Sequence, residues 1–336
     1  KYWLEIASRT NAGTLELVTA YRGRTLGTLA YDLIRPIKNV TLEDLSVVNG
    51  TALLNEGIDI SYGINVKTNF IEVNNSESDN ILSFKSNNVL IQNSILRNSS
   101  DGYGIETNAV SNLVLDGVDT NNNAEGGISV FQGDDTRIIR CVSRFNGTNG
   151  IITNTSTYVD IIGCIFERNG GAGVSLNTSS QYNQVIGNII SDNATGVTIV
   201  GNYNKISNNI ITDNSNGVNP SGISFNSLSG SNTVEDNIFV GNTSTIGTNG
   251  VGNVIRNNFG YVTENWGLGT VASGATVGTV AHGLVLAPTN VRFTLSSVNG
   301  SSTEIYLGSS NATNFFVNID TNAGQDVVFN WEALKV

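Results

Sequence analysis

Carboxylates are the side chains of this chain that could most readily do chemistry. Glu106 lies in the segment GIETN, and Asp134 and Asp135 follow in FQGDD. Two carboxyl groups about 5 to 10 Å apart can act together on a glycosidic bond, one of them as general acid. An arginine before a turn, such as Arg144, could neutralise a sugar carboxylate during an elimination. The predicted catalytic set is therefore Glu106, Asp134, Asp135 and Arg144.

Other side chains near Glu106 could bind a sugar chain without breaking it. Phe131, which follows the strand-like segment GISV, could stack on a sugar ring. The predicted carbohydrate-binding residues are Asp59, Asp101, Glu125 and Phe131. An alternative interpretation is that the acidic residues are solvated charges, which keep an elongated protein soluble and prevent lateral strand pairing.

The two cysteines, Cys141 and Cys164, do not indicate a metal site, because two thiols at this spacing lack partner ligands. We predict that both are buried free thiols; a disulfide is the alternative, since neighbouring strands about 4.8 Å apart permit one. No cofactor is predicted, except that Ca²⁺ is left open where several carboxylates could converge near Glu106. No EF-hand-like or repeated Asp motif supports calcium.

A repeat of about 21 to 28 residues must position these side chains. It is clearest from Asn183 to Asn242, where Asn-rich turns alternate with short apolar segments. Aligned on a turn asparagine, the rungs share the column Asn98, Asn146, Asn169, Asn193, Asn214 and Asn242. Five residues earlier comes the column Asn93, Cys141, Cys164, Asn188, Asn209 and Asn237. Stacked amides could hydrogen-bond along such a column, so we predict that Asn188, Asn209 and Asn237 are buried and stacked.

Apolar columns predict parallel strands in register. Eight residues before the turn asparagine come Leu90, Ile138, Ile161, Val185, Ile206 and Val234. Four residues before it come Ser94, Val142, Ile165, Ile189, Ile210 and Ile238, and both columns are predicted to line one interior. After each turn a Gly-apolar-x-apolar strand should point its middle residue outward. That outward column is Asp59, Glu106, Ser129, Ile152, Ser175, Thr198 and Ser224.

The Asn-rich turns, the Asn/Cys column and the GIxI strands resemble the right-handed parallel β-helix superfamily, which includes pectate-lyase-like enzymes, epimerases and phage tail spikes. The resemblance covers about residues 39–260. It implies an all-β fold, a right-handed parallel β-helix, here over residues 39–262. Residues 1–38 are predicted as an N-terminal cap or first rungs, because a repeat array needs a protected end.

The last part of the chain predicts a separate small module. Residues 269–336 contain about five strands with VNGSS, SNAT and NAGQ turns, which predict a small antiparallel β-sandwich-like domain. The phrases TVAHGLVLAPTNVRFT, NFFVNIDT and VVFNWEA resemble a C-terminal module of phage tail and related extracellular β-helix proteins. That resemblance implies trimer formation or surface binding. His282 and Trp331 are predicted as structural residues, and Trp266 as core or hinge packing.

Composition excludes some classes of function. The chain has 17 basic and 28 acidic residues and a net charge of −11, which argues against binding nucleic acid. No apolar run is long enough to insert into a membrane. Only 13% of residues are charged, and a surface rich in Asn, Ser and Thr favours an extracellular or virion-surface location.

These observations favour a tail-spike or surface-fibre protein that recognises cell-surface carbohydrate, a polysaccharide or other glycan, as a homotrimer. One alternative is a polysaccharide lyase or glycoside hydrolase that uses the acidic cluster around Glu106. The other is a structural surface or filament subunit, for which a smooth polar wall would suffice.

Overall fold

A computed structural model describes residues 2–11, 14–22, 37–48, 56–215, 220–227, 229–247, 252–296 and 304–335. The first strands are β1 (Tyr2–Asn11), β2 (Thr14–Arg22) and β3 (Ile37–Val48). Next come β4 (Ile58–Ser61), β5 (Gly63–Asn74), β6 (Ile81–Phe84), β7 (Asn87–Gln92), β8 (Ile95–Arg97), β9 (Ile105–Asn108), β10 (Ser111–Asp116), β11 (Asp119–Asn121), β12 (Ile128–Phe131), β13 (Asp134–Ile139), β14 (Val142–Arg144) and β15 (Ile151–Asn154). The solenoid continues through β16 (Thr157–Ile162), β17 (Ile165–Glu167), β18 (Ala172–Leu176), β19 (Gln184–Ile186), β20 (Ile189–Ser191), β21 (Thr195–Ile199), β22 (Lys205–Ser207), β23 (Ile210–Thr212), β24 (Ile223–Phe225), β25 (Thr233–Glu235), β26 (Ile238–Val240) and β27 (Val254–Arg256). The last strands are β28 (Glu264–Val271), β29 (Val277–Ala281), β30 (Asn290–Leu295), β31 (Ile305–Ser310), β32 (Asn314–Ile319) and β33 (Val327–Leu334).

The strands from β3 to β27 form a parallel β-helix, as the repeat predicts. One side is an eight-stranded sheet of β4, β6, β9, β12, β15, β18, β21 and β24, and the other strands of this region form a seventeen-stranded parallel sheet that folds around the remaining sides. Each strand pairs with the equivalent strand of the next turn, for example β9 with β12 and β12 with β15. Every described residue of regular secondary structure is in a strand, so this part of the chain is all-β.

Side chains alternate between the interior and the surface along each strand of the solenoid, and the inward ones form the core. In β12, Ile128 and Val130 are fully buried while Ser129 points outward, and the same alternation recurs in β9 and β15. The inward side chains of all turns stack into one continuous apolar column from Ile60 to Ile246. A single turn could not bury its own apolar side, and stacking supplies the missing surface.

Asparagine ladders hold three corners of the solenoid. One ladder runs through Asn188, Asn209, Asn237 and Asn258, whose amides are buried; each Nδ2 donates to the Oδ1 of the next amide, at 3.0, 2.9 and 3.0 Å. The predicted burial and stacking of the first three is confirmed. Two further ladders are Asn123–Asn146–Asn169–Asn193–Asn214–Asn242 and Asn183–Asn204–Asn232–Asn253.

Cysteines replace asparagine where the first ladder continues toward the N-terminus. Cys141 and Cys164 are buried free thiols, and the Cys141 N–H donates to the Cys164 Sγ at 3.4 Å. Below them, the Cys164 N–H donates to Asn188 Oδ1 at 2.8 Å. A hydrogen bond with Cys164 and burial raise the pKa of the Cys141 thiol. The thiols therefore lie in the interior column, as predicted.

The predicted register is wrong by one residue in the first of the aligned rungs. Ser99, not Asn98, continues the turn ladder, because its N–H donates to Asn123 Oδ1 at 3.1 Å. Ser94 accordingly takes the interior position predicted for Asn93, while Asn93 and Asn98 are exposed in left-handed turns. The apolar column passes through Ile91, and Leu90 is half-buried. In each case an asparagine is followed directly by a serine, so the sequence allowed two similar registers. The structure has the register in which the serine is buried.

The column four residues before each turn faces solvent, which corrects its predicted place in the interior. Val142 and Ile165 are half-buried, and Ile189, Ile210 and Ile238 are 43, 42 and 42% exposed. Ile95 occupies the same column and is also exposed. The buried residue of each of these short strands is the next one, such as Phe166 or Ile190. We call Ile95, Val142, Ile165, Ile189, Ile210 and Ile238 the isoleucine stripe.

The C-terminal strands form two three-stranded antiparallel sheets, β28-β33-β30 and β29-β32-β31. Their facing side chains, among them Phe315, Phe329 and Trp331, form a core of their own. The first strand, β28, begins at Glu264 and pairs with β33. His282 is fully buried: the Leu284 N–H donates to Nδ1 at 3.0 Å, so Nε2 carries the proton that it donates to Asn311 O. Trp266, predicted to pack inside, is 74% exposed because it alternates outward along β28.

At the N-terminus, β1 and β2 pair antiparallel. The predicted cap over residues 1–38 includes residues 23–36, which lie outside the described part of the chain, so the cap stays a prediction.

The ladder makes a prediction about stability. Asn209→Leu preserves side-chain size but leaves the Asn188 N–H without its acceptor and the Val185 carbonyl without its donor. We expect a loss of about 2–4 kcal/mol in the free energy of unfolding, because each orphaned buried group costs about 1–3 kcal/mol. Guanidinium denaturation followed by circular dichroism measures this loss.

The matched control is Asn154→Leu at the outward end of β15, where the side chain is half-buried and belongs to none of the three ladders. We expect a change below about 0.5 kcal/mol there. Equal destabilisation by the two substitutions would contradict a structural role for the ladder.

Candidate functional site

The outward side of the eight-stranded sheet, here called the open face, carries the candidate site. Its central column is Asp59, Leu82, Glu106, Ser129, Ile152, Ser175, Thr198 and Ser224. This confirms the predicted outward register and adds Leu82. The strand β6 escaped the sequence pattern because Asn80 stands where the other rungs have glycine, so the repeat is less obvious there.

A glycine at the start of most strands of the open face lets the turns stack closely beside this column. A Cβ on Gly104, immediately before β9, would come 2.8 Å from the Gly127 carbonyl oxygen of the next turn. The close approach lets the Gly104 N–H donate to Gly126 O at 3.0 Å. The backbone that carries Glu106 is therefore hydrogen-bonded to the neighbouring turns through β6 and β12.

A hydrogen-bonded pair of carboxyl groups is the centre of the site. Asp79 lies in the turn before β6, only 4% exposed, and its side chain is hydrogen-bonded to that of Glu106. Burial and the neighbouring charge of Glu106 raise the pKa of Asp79 from 3.8 to about 7, although the Tyr103 N–H donates to Asp79 Oδ1 at 2.7 Å and opposes the shift. The Asp79 carboxyl therefore holds a proton close to neutral pH.

A tyrosine adjoins the carboxyl pair. Tyr103 lies in the turn before β9, one turn along from Asp79, and its hydroxyl is hydrogen-bonded to Glu125. Burial, together with the charges of Glu125 and Glu106, raises the pKa of Tyr103 to about 12. The phenol thus stays protonated and can donate a hydrogen bond at neutral pH.

More carboxylates continue the site toward the N-terminal turns. Glu56 precedes β4, and burial and the charge of Asp59 raise its pKa. Asp59 is exposed in β4 and accepts a hydrogen bond from the Ser61 hydroxyl. We call Glu56, Asp59, Asp79, Tyr103, Glu106 and Glu125 the acidic cluster.

Aromatic side chains lie at the other end of the same strands. Tyr62 and Phe84 meet edge to face with ring centroids 5.6 Å apart, and the Lys85 ammonium lies 4.9 Å from the centre of the Phe84 ring. In register, Phe84 is followed by Asn108 and then by half-buried Phe131. The open face thus joins carboxyl groups at one edge to apolar rings and one ammonium at the other.

The structure brings only some of the predicted site residues together. Glu106 and Glu125 both belong to the acidic cluster with Asp59, and Phe131 lies on the open face. Asp101 is exposed in the turn two residues before Tyr103. Asp79 and Tyr103 were missed because their turns carry no repeat signature; their position before each strand of the open face was the available signal.

The other predicted catalytic residues lie on other sides of the solenoid. Asp134 and Asp135 begin β13, which belongs to the seventeen-stranded sheet, and line a cavity with Tyr158 and Asp160. Arg144, in β14, is paired with Asp119 at 3.1 Å. The geometry of the acidic cluster therefore does not include Asp134, Asp135 or Arg144, and their catalytic role stays a prediction.

Among the residues that the structure describes, no three His, Cys, Asp or Glu side chains are arranged to hold a metal ion. Ca²⁺ binding near Glu106 stays the alternative that the sequence left open. None of the described segments forms a helix long and apolar enough to cross a bilayer.

The fold has a known family. The family model for the right handed beta helix region matches residues 56–204 and 103–265, which together cover more than half of the chain. The chain therefore belongs to the right-handed β-helix family, and the resemblance seen in the sequence is confirmed at the level of fold. No curated protein matches the sequence significantly.

Solved structures support the same fold. The A-module of the Azotobacter vinelandii mannuronan C-5 epimerase AlgE6 has 18% identity and a TM-score of 0.58, over 66% of this chain and 64% of the module, so this chain spans less than two thirds of it. The surface adhesin PfbA of Streptococcus pneumoniae has 14% identity and a TM-score of 0.50, over 74% of this chain and 76% of the adhesin. A point mutant of the periplasmic alginate epimerase AlgG has 14% identity and a TM-score of 0.51, over 58% of this chain and 50% of the epimerase. At these identities the likeness concerns the fold alone.

The raised pKa of Asp79 predicts a pH dependence of stability. A carboxyl group whose folded pKa exceeds its unfolded value binds its proton more tightly in the folded state, so stability falls as pH rises from about 4 through about 7. Asp79→Asn removes this dependence, and at pH 8 we expect it to exceed the wild type by on the order of 2–4 kcal/mol. Denaturation midpoints from pH 4 to pH 8 measure the effect.

Asp101→Asn, at an exposed position in the neighbouring turn, is the control and should keep the wild-type pH profile. An Asp79→Asn profile parallel to that of the wild type would show that Asp79 does not bind a proton in this range.

Proposed function

We propose that this chain recognises a cell-surface polysaccharide along the open face and hydrolyses it at the acidic cluster, as an extracellular or virion-surface protein. The observation that carries the proposal is the buried Asp79 carboxyl, hydrogen-bonded to Glu106 on a face otherwise open to solvent. Perturbed carboxyl groups of this kind are enriched at functional sites. The long row of turns suits an extended polymer better than a small ligand.

Local charge favours a glycan that is not anionic. The acidic cluster brings five carboxyl groups together, whereas the Lys85 ammonium lies at the opposite edge of the open face, over the Phe84 ring. Sugar hydroxyls can donate hydrogen bonds to carboxylates, and Phe84 and Phe131 offer apolar surface to a sugar ring. A polyuronate would meet repulsion at the carboxyl edge.

The roles of the carboxyl groups follow from their spacing. Asp79 and Glu106 are hydrogen-bonded, closer than the 5–5.5 Å or 6.5–9.5 Å typical of two glycosidase carboxyls, so we treat the pair as a single proton donor to the leaving oxygen. Asp59 is two strands from Glu106 in the same column, about 10 Å by strand spacing. At that distance it would activate water on the opposite side of the bond, and the configuration at the anomeric carbon would invert.

Recognition without cleavage is the second candidate. Beyond Glu106 the open face carries the half-buried hydroxyl side chains of Ser129, Thr198 and Ser224, together with Ile152, while Ser175 is buried. Such a surface can bind sugar hydroxyls and offers no acid or base.

A screen of neutral and amine-bearing bacterial surface polysaccharides, read by size-exclusion chromatography, tests hydrolysis. For a cleaved polymer we expect Asp79→Asn and Glu106→Gln to reduce the rate at least about 100-fold, as loss of a general acid does. Binding should remain, because the amides are close in shape to the acids. Asp101→Asn, which leaves the cluster intact, should cleave at the wild-type rate.

Full activity in Glu106→Gln would contradict the assignment of the site. Binding to the open face with no cleavage of any bound polymer would support the second candidate instead.

We further propose that the chain acts as a homotrimer that packs through the isoleucine stripe. The stripe runs through successive turns from Val142 to Ile238, and Asp119 separates this part from Ile95. A second copy of the chain offers exposed apolar side chains at the same spacing. The double substitution Ile189→Lys and Ile210→Lys places two charges in the stripe, so we expect monomers by multi-angle light scattering where the wild type is trimeric.

Thr198→Lys with Ser224→Lys on the open face is the matched control and should remain trimeric. A monomeric wild type, or a trimer that survives the stripe substitutions, would contradict this arrangement.

A further inference from the structure

Three tyrosines form a stack on the surface of the solenoid, away from the open face. The ring centroids of Tyr158 and Tyr182 are 5.6 Å apart and those of Tyr182 and Tyr203 are 5.2 Å apart, with interplanar angles of 15° and 9°. The side chains are 57, 46 and 51% exposed, so the stack faces solvent.

The backbone does not require tyrosine at these positions. All three residues have left-handed φ angles of 55 to 59°, a conformation that asparagine and glycine adopt more readily. Equivalent turns of the same corner carry Asn65, Asn88 and Asn112. The aromatic rings therefore have to be explained by what they contact.

A cavity of about 440 Å³ lies beside the stack, lined by Asp134, Asp135, Tyr158, Asp160, Tyr182 and Gln184. Tyr158 stands at one end of the stack, so Tyr182 covers one side of its ring and the other side faces the turn of Asp135. One face of the Tyr158 ring is thus available to a ligand in the cavity that Asp134, Asp135 and Asp160 line.

The partners of these aspartates leave the cavity acidic. Asp134 accepts a hydrogen bond from Thr157 at 3.0 Å, and Asp160 is hydrogen-bonded to Gln184. Arg137, the basic residue near Asp160, offsets one of the three carboxyl charges. A ligand here would meet negative charge, amide and phenol groups, and an aromatic face.

We propose that this cavity is a second glycan-binding site that takes amino sugars, with the sugar ring against Tyr158 and its ammonium group near Asp134, Asp135 and Asp160. An ammonium group is attracted both by the carboxylates and by the face of a tyrosine ring. A uronic acid would meet repulsion from the same three residues. The site is separate from the acidic cluster and does not depend on catalysis there.

Calorimetric titration with a chitosan hexasaccharide tests the proposal, at a pH where its amines are protonated and at about 0.15 M salt, which screens long-range attraction. We expect the wild-type chain to bind chitosan at least about tenfold more tightly than an equally long chitin oligosaccharide, in which the amines are acetylated. An oligogalacturonate should bind more weakly still.

Variants assign the binding to the cavity. Tyr158→Ala and Asp160→Asn should each weaken chitosan binding at least about tenfold, whereas Tyr158→Phe, which keeps the ring, should bind nearly as the wild type. Phe145→Ala is the matched control: Phe145 is also exposed, also left-handed, and contacts Arg168. Tyr158→Ala and Asp160→Asn should leave the rate of polysaccharide hydrolysis at the acidic cluster unchanged, which separates this site from the proposed hydrolase.

Three results would overturn the proposal: no chitosan binding, equal affinity for chitin, or chitosan binding that survives Tyr158→Ala. The last would indicate general attraction of a polycation to a chain of net charge −11. The melting temperature of each variant distinguishes loss of the site from loss of the fold, because a purely structural stack would lower it without changing the affinity of the folded protein.

Discussion

Hydrogen bonding between buried asparagine amides of successive turns is the interaction on which the solenoid depends. At a corner the strand ladder is interrupted, and the freed backbone groups would otherwise be buried without partners. A stacked amide provides hydrogen-bond partners for two of these backbone groups. Asn209 Oδ1 accepts from the Asn188 N–H, and Asn209 Nδ2 donates to Val185 O at 2.8 Å. The next amide repeats the arrangement, so each corner fixes the register of the turn that follows.

That fixed register is what places the acidic cluster. Asp79 and Tyr103 lie in consecutive turns at one edge of the open face, and Glu106 follows in the strand beside them. Because the turns are held one strand spacing apart, two carboxyl groups from different turns are forced into contact in a partly buried position. The raised pKa of Asp79 is a consequence of this stacking, because the burial and the Glu106 charge that raise it both come from the arrangement of the turns.

The sequence predicted the fold and much of the register, since the repeat imposes the same burial on every turn. The buried stack of Asn188, Asn209 and Asn237 and the outward column of the open face could be derived directly. Where neighbouring residues were chemically alike the pattern failed: Asn93 beside Ser94 and Ile189 beside Ile190 each offered two registers, and only three-dimensional packing distinguishes them. The site was predicted in part, because Glu106 lies in a recognisable strand whereas Asp79 lies in a turn whose strand begins with Asn80.

The central claim is that the Asp79 carboxyl, beside Glu106 on the open face, holds a proton near neutral pH. Carbon-13 NMR titration of the side-chain carboxyl groups, with Asp79→Asn used to assign the signal, measures it most directly. We expect an apparent pKa of about 7 for the Asp79 carboxyl, and a different pKa in Glu106→Gln. A value near the ordinary 3.8 of an aspartate, unchanged in Glu106→Gln, would contradict it.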